Sequence, residues 1–170
     1  MMTFTFRNDQ PDVAILILKE VGQWLVDSNQ RLWNVDALTA ENLLDSYTTG
    51  NLYVMYADHG NGTEPEPAAV FMLQWEDPLY WPDVPANTSG FIHKLAIRRS
   101  FAGQNLFVAI VDFCQKSCLD RGIAILQLET DASRPKLMAF YERYGFKRTY
   151  QRQMEEFGDT FLCQFYKLTF

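Results

Sequence analysis

The stretch that decides the fold runs from His93 to Phe146, and residues 93–107 within it read HKLAIRRSFAGQNLF. Residues 91–97 have the apolar character of a strand, residues 98–104 are polar and include a glycine, and the residues that follow have helical spacing. A strand, a glycine-bearing turn and a helix in this order direct free backbone N–H groups and a helix N-terminus toward one point. Such an arrangement favours the binding of a phosphate-like anion.

The composition is that of a folded chain with one hydrophobic core. The chain has 170 residues, of which 48% are hydrophobic and 21% are charged, and this length favours a single domain over residues 1–170. Its 15 Lys and Arg residues stand against 21 Asp and Glu residues, so the net charge is -6. This acidity argues against a nucleic-acid partner and weakly favours cationic small molecules.

Cysteine usage and hydropathy indicate the compartment. Cys114, Cys118 and Cys163 are odd in number and have no metal-ligand spacing, so we expect reduced core thiols and no metal site. A signal peptide and an apolar run of membrane-spanning length are both missing from the sequence. The sequence therefore predicts a cytoplasmic protein without a membrane partner.

Local patterns predict a mixed α/β chain in which strands outnumber helices. Asn8 and Asp9 are expected to cap a helix with Pro11 in its first turn, and Thr39 is expected to cap a shorter one. Residues 76–89 are polar and rich in proline, so they predict a loop. The predicted strands are 3–6, 51–57, 68–75, 91–97, 124–128, 146–153 and 160–170, and the two later helices run from Leu106 to about Arg121 and from Pro135 to Tyr144.

Two motifs make nearly the whole chain resemble the GNAT superfamily of acyl-CoA-dependent N-acyltransferases. Residues 95–107, LAIRRSFAGQNLF, look like that family's pyrophosphate turn, normally written Q/R-x-x-G-x-G/A. Residues 134–146, RPKLMAFYERYGF, look like its helix motif N-x-x-A-x-x-F/L-Y-x-x-x-G-F. The resemblance implies a central, mostly antiparallel sheet that splays between residues 91–97 and 124–128. It also implies direct transfer of an acetyl group from acetyl-CoA to a primary amine of a small molecule or peptide.

The turn departs from the family pattern at three positions. Ala102 stands where the family usually has Gln or Arg, Asn105 where it has Gly, and Phe107 where it has Gly or Ala, while Gly103 is retained. Asparagine tolerates a positive φ better than most residues, so Asn105 is expected to hold a similar turn. The bulk of Phe107 is expected either beside the cofactor or against the core.

The resemblance also implies which residues hold the donor. Backbone groups of the strand would pair with the pantetheine arm, and the amides of the turn would bind the pyrophosphate. A basic pair at the start of the last helix would either contact a phosphate or stay solvated. The donor-binding residues expected on this basis are Leu95, Ala96, Ile97, Ala102, Gly103, Gln104, Asn105, Leu106, Phe107, Arg134 and Lys136.

Two residues are candidates for proton transfer. The resemblance places the hydroxyl of Tyr141 near the sulfur of CoA, where a neutral phenol could protonate the leaving thiolate. An attacking ammonium must first lose a proton, and His93 is the best single candidate for the base; the alternative is that this strand residue is simply a satisfied polar neighbour of the helices. Glu76, Asp77 and Glu129 are further candidates to relay the proton through water, and the sequence does not rank them.

The sequence leaves alternatives open for the residues that contact the acceptor and for the quaternary structure. Trp33, Tyr80 and Trp81 would either line the acceptor site by packing and cation–π contact or fill the core. Residues 161–170 are apolar enough for a homodimer interface, and a buried last strand explains them equally well. The alternative to an enzyme is a non-catalytic acyl-CoA-binding or interaction module on the same fold.

Overall fold

The computed structural model describes residues 2–46, 51–156 and 158–170. Within these residues the strands follow the order β1-β2-β3-β4-β5-β7-β6, in which β4 and β5 are parallel and the pairs β1–β2, β2–β3, β5–β7 and β6–β7 are antiparallel. The predicted mixed α/β fold with a mostly antiparallel sheet is therefore confirmed. The elements are β1 Thr3–Arg7, α1 Pro11–Asp27, α2 Ala40–Ser46, β2 Leu52–Asp58, β3 Glu66–Gln74, β4 Gly90–Ile97, α3 Leu106–Leu119, β5 Ile125–Asp131, α4 Pro135–Arg143, β6 Lys147–Glu156 and β7 Asp159–Thr169.

The residues group into two compact units, and β4 contributes to both. The first unit holds Met1–Leu73 and Lys94–Ile110, and the second holds Gln74–His93 and Val111–Phe170. The single domain expected for the whole chain stays a prediction. Among the described residues, no helix combines the length and the apolar character that crossing a membrane requires.

The core of the first unit forms between α1 and the strands β2 and β3. The buried face of α1 includes Ala14, Ile17 and Val21, which recur at helical spacing. The predicted cap of this helix was wrong, because Gln10 occupies the cap position and its side chain forms no capping hydrogen bond, while the rigid ring of Pro11 begins the first turn. The cap of α2 is confirmed by a hydrogen bond of 3.2 Å from the Asn42 amide to the Thr39 hydroxyl.

The core of the second unit forms on β7, which pairs with β5 on one side and β6 on the other. Residues 163–166 of β7 are buried, so the apolar closing segment fills the interior of this unit. Cys114, Cys118 and Cys163 are buried free thiols, as predicted. The loop of residues 75–89 brings Tyr80 and Trp81 into the same apolar cluster as Phe91, Met154, Cys163 and Phe165.

Candidate functional site

The turn between β4 and α3 contains two residues with a left-handed backbone conformation. Gly103 and Asn105 adopt φ values of 78° and 59°, so asparagine does hold the left-handed position where the family has glycine. Residues 102–105 are exposed. In the part of the chain that the structure describes, the amides of Gly103, Asn105 and Leu106 donate to no backbone carbonyl. These amides stand at the N-terminus of the 14-residue helix α3, whose dipole favours an anion.

The side chain of Phe107 does not crowd the exposed surface of the turn. Phe107 is 2% exposed, and its neighbour Leu106 is 1% exposed. Of the two alternatives that the sequence left open for Phe107, the structure therefore selects packing in the core. A Cβ added at Gly103 would meet no atom of residues 2–46, 51–156 or 158–170 within 4 Å, so that part of the chain leaves the surface around this glycine open.

Strand β4 has an irregular backbone just before the turn. Lys94 adopts a φ of 48°, an uncommon value for a lysine in a strand, and Leu95 and Ile97 are half-buried while Ala96 is buried. A left-handed residue in a strand interrupts the pleat and redirects the backbone groups that follow it. The residues predicted to pair with the pantetheine arm thus follow directly on a backbone distortion that the sequence did not predict.

Tyr141 lies on the buried face of α4 in the second unit. It is 9% exposed, and its ring packs against the rings of Phe146 and Tyr166, with centroid distances of 6.2 and 5.9 Å. Burial, and next the negative charge of Glu129, raise the pKa of the Tyr141 hydroxyl well above its ordinary value. The hydroxyl therefore keeps its proton throughout the physiological pH range.

His93 is enclosed between two carboxylates. Its Nε2 lies 2.7 Å from Oδ2 of Asp77, and its Nδ1 lies 3.2 Å from Oε2 of Glu129. The side chains of His93 and Asp77 are 2% and 6% exposed, whereas that of Glu129 is 15% exposed. Glu129 is thus the member of this carboxylate–histidine cluster with the most access to solvent. The structure brings these three predicted residues together and leaves Glu76, which is exposed, outside their contacts.

The cluster keeps His93 charged at neutral pH. Burial alone would lower the pKa of His93, but the charge of Glu129 and the hydrogen bonds with Asp77 and Glu129 outweigh it and raise the pKa to about 10. An imidazolium has no lone pair available to accept a proton. A direct base role for His93 would therefore require it first to lose a proton that both carboxylates stabilise.

Two sets of hydrogen bonds hold the loop that contains Asp77. Oδ1 of Asp77 accepts hydrogen bonds from the amides of Leu79 and Tyr80, at 3.1 and 2.9 Å, which leaves Oδ2 for His93. Arg152 on β6 donates to the carbonyls of Leu79 and Tyr80, at 3.1 and 2.7 Å. Sequence reasoning missed Arg152, because an isolated arginine on a strand gives no local sign of a partner more than 70 residues away.

The remaining predicted residues are distributed as follows. Arg134 is half-buried at the cap position of α4, and Lys136, two residues later in the first turn, is exposed. The donor-binding role of this pair stays a prediction. Tyr80 and Trp81 are each 2% exposed and pack around His93, with ring centroids 5.4 and 5.7 Å from the imidazole. Trp33 packs against the core of the first unit.

Comparison with known proteins establishes the family. Residues 18–146 match the model of the acetyltransferase (GNAT) family, so the chain belongs to that family, as its two motifs predicted. The family uses acetyl-CoA as its acyl donor.

Individual relatives agree with this assignment. The uncharacterised N-acetyltransferase YesJ of Bacillus subtilis (strain 168) is 26% identical in an alignment of 138 residues that covers 77% of this chain and 73% of that protein. A GNAT acetyltransferase of Listeria monocytogenes has a TM-score of 0.71 at 16% identity, over 98% of this chain and 95% of that one. The Salmonella typhimurium protein yncA, solved with acetyl-CoA, has a TM-score of 0.63 at 12% identity, over 99% and 94% of the two chains. At these identities the two solved structures show a shared fold.

Proposed function

We propose that this chain transfers an acetyl group from acetyl-CoA directly to a primary amine of a small molecule or a peptide. The observation that carries the proposal is the exposed turn of residues 102–105, in which Gly103 and Asn105 are both left-handed, in a chain of the GNAT family. The non-catalytic alternative would use the same turn for binding alone. A test of turnover therefore has to follow a test of binding.

The residues of the turn fit the pyrophosphate of the donor. Among the described residues, the amides of Gly103, Asn105 and Leu106 donate to no backbone carbonyl, and no atom would contact a Cβ at Gly103 within 4 Å. Several convergent N–H groups at a helix N-terminus bind phosphate oxygens without a dedicated basic side chain. The turn can therefore function although Ala102 replaces the usual Gln or Arg of the family.

Tyr141 is the residue that we propose as the proton donor. Acetyl-CoA, when bound, would supply the thioester, and its departing thiolate would need a proton. The raised pKa of Tyr141 keeps a proton on the hydroxyl oxygen until such a charge develops beside it. Packing of its ring against the rings of Phe146 and Tyr166 restricts the rotation of the Tyr141 side chain.

We assign removal of the amine proton to the carboxylate–histidine cluster as a unit. Glu129 is its most accessible carboxylate, and the imidazolium of His93 holds that carboxylate in place from 3.2 Å. Asp77 holds the other side of the imidazolium at 2.7 Å. Two carboxylates and one imidazolium give the cluster one negative charge in excess, and this charge would attract an ammonium group. Glu129 would then accept the proton of that ammonium.

The first experiment measures binding and then turnover. Acetyl-CoA is titrated into the protein in a calorimeter, and saturable binding in the range of about 1 μM to 1 mM is expected. Release of the free CoA thiol is then followed across a panel of primary amines that includes polyamines, amino acids, aminoglycosides and peptides. Binding without thiol release above the rate in buffer for any amine would favour the non-catalytic module. Absence of binding at millimolar acetyl-CoA would overturn the proposed function.

A further inference from the structure

Arg98 fixes the chain at the point where β4 ends and the donor-binding turn begins. Its backbone N–H donates to the carbonyl of Ala68 on β3 at 2.9 Å, and its own carbonyl accepts from the amide of Phe101 at 2.9 Å. The latter bond closes the short 3-10 turn Arg99–Phe101 that leads into Ala102. Both backbone groups of Arg98 are thus bonded within the first unit.

The side chain of Arg98 forms a second set of bonds, which reaches α1. Its Nε lies 3.0 Å from both carboxylate oxygens of Glu20, and its Nη2 lies 2.8 Å from Oε2 of the same carboxylate. Its Nη1 donates to the carbonyl of Pro67 at 3.2 Å. A planar guanidinium that engages a carboxylate through two nitrogens has a defined direction as well as a defined distance. Helix α1, strand β3 and the start of the turn are therefore joined through one residue.

The next residue strengthens the same connection. The guanidinium of Arg99 lies over the ring of Trp24 on α1, 4.0 Å from its centroid, within the range of a cation–π contact. Consecutive arginines before the turn are thus both held by α1, through Glu20 and Trp24. These contacts use basic residues that would otherwise be free to contact a phosphate.

We propose that Glu20 and Arg98 act as a positioning pair that holds the turn in its donor-binding conformation. The inference rests on the proposed function, because it concerns affinity for acetyl-CoA. The turn is exposed and binds through backbone amides, and ordering such a segment upon binding would cost conformational entropy. A pair that orders its first residues in advance reduces that cost. The guanidinium of Arg98 is bonded to Glu20 and Pro67, so we assign the pair a positioning role and not a catalytic one.

The test compares two substitutions on α1 that each convert one carboxylate to a carboxamide. Glu20→Gln weakens the pair, whereas Asp27→Asn, the control, changes an exposed carboxylate that bonds only Gln23 among the described residues. Calorimetric titration with acetyl-CoA is expected to give a dissociation constant about fivefold higher for Glu20→Gln, the upper end for a partly exposed ion pair. Asp27→Asn is expected to bind as the wild type does. Arg98→Lys, which keeps the charge and loses the planar fork, is expected to bind more weakly than the wild type.

Amide hydrogen exchange separates positioning from simple stabilisation. Exchange at the amides of Ala102 and Gln104, which donate to the carbonyls of Arg99 and Phe101, is expected to be faster in Glu20→Gln than in the wild type and in Asp27→Asn. A lower melting temperature in Glu20→Gln with unchanged affinity and unchanged exchange in the turn would overturn the positioning role. If the wild type and Asp27→Asn both fail to bind acetyl-CoA, the proposed function is wrong. The exchange data then decide the ordering role of the pair by themselves.

Discussion

The charge on His93 should make the stability of this protein depend on pH above neutrality. Burial lowers the pKa of this residue, but the two carboxylates outweigh burial and raise it from 6.5 to about 10. A base whose pKa rises on folding stabilises the folded state fully below its unfolded pKa. That stabilisation is lost as the pH rises toward the folded pKa. The relevant window for His93 therefore begins near pH 6.5 and extends to about pH 10.

The size of the effect follows from the two pKa values. At about 1.4 kcal/mol per pKa unit, the rise corresponds to a contribution on the order of 5 kcal/mol at low pH. Between pH 6.5 and about pH 8 the unfolded imidazole loses its proton while the folded one keeps it. The free energy of unfolding should therefore fall by about 1.5 kcal/mol over this interval. This interval lies below 9.0, the ordinary pKa of the buried thiols of Cys114 and Cys163, so they contribute little.

Urea unfolding followed by tryptophan fluorescence measures this loss in the wild type and in Glu129→Gln. The substitution removes the charge that contributes most to raising the pKa of His93, so the loss of stability between the two pH values should be smaller. Equal losses in the two proteins, or no loss in the wild type, would refute the reasoning. The chain has 2 histidines, so NMR titration of His59→Asn observes His93 alone. Titration of its imidazole near pH 6.5 would refute the raised pKa directly.

Three further substitutions test the site. Tyr141→Phe should lower the rate of thiol release by about 100-fold, because general acid catalysis usually contributes about this much. Its affinity for acetyl-CoA, measured by calorimetry, should change little. An unchanged rate would exclude Tyr141 as the acid. Asn105→Gly should retain the affinity for acetyl-CoA. Asn105→Val should lower this affinity about tenfold, because a β-branched residue is strained at positive φ. Equal affinities of the two variants would contradict the left-handed turn. Arg152→Ala should reduce the free energy of unfolding, measured in urea, by about 1–3 kcal/mol, because the carbonyls of Leu79 and Tyr80 lose a charged donor. Arg152→Lys should lose less of this free energy than Arg152→Ala does. Unaltered stability in Arg152→Ala would show that the loop is held without Arg152.

The elements of the fold were predictable because they depend on local patterns. The strand expected at 51–57 is Leu52–Asp58, and the helix expected from Pro135 to Tyr144 is Pro135–Arg143, since apolar periodicity and the flanking glycine and proline residues define such bounds. The cap of α1 was wrong because Asn8, Asp9 and Gln10 offer competing polar starts within three residues. The place of β7 between β5 and β6 depends on pairing over long sequence distances, which local patterns do not encode.

The sequence predicted the turn of the candidate site better than it predicted the residues that transfer protons. The turn is one continuous segment, and the left-handed Asn105 follows from a property of asparagine itself. The sequence could not show that Asp77 and Glu129, and not Glu76, contact His93. Only the folded structure shows it, because Glu129 lies 36 residues from His93 in the sequence. The charge on His93 likewise results from burial acting against two carboxylates, which composition and spacing do not reveal.

Catalysis of acetyl transfer is the central claim, and the mass of the amine product tests it most directly. The protein is incubated with acetyl-CoA carrying a carbon-13 label in the acetyl group and with each amine of the panel in turn. We predict that at least one amine gains the labelled acetyl group in an amount equal to the free CoA released, and that Tyr141→Phe greatly slows its formation. Unmodified amines throughout, with acetyl-CoA bound but intact, would contradict the claim and leave a protein that binds the donor without using it.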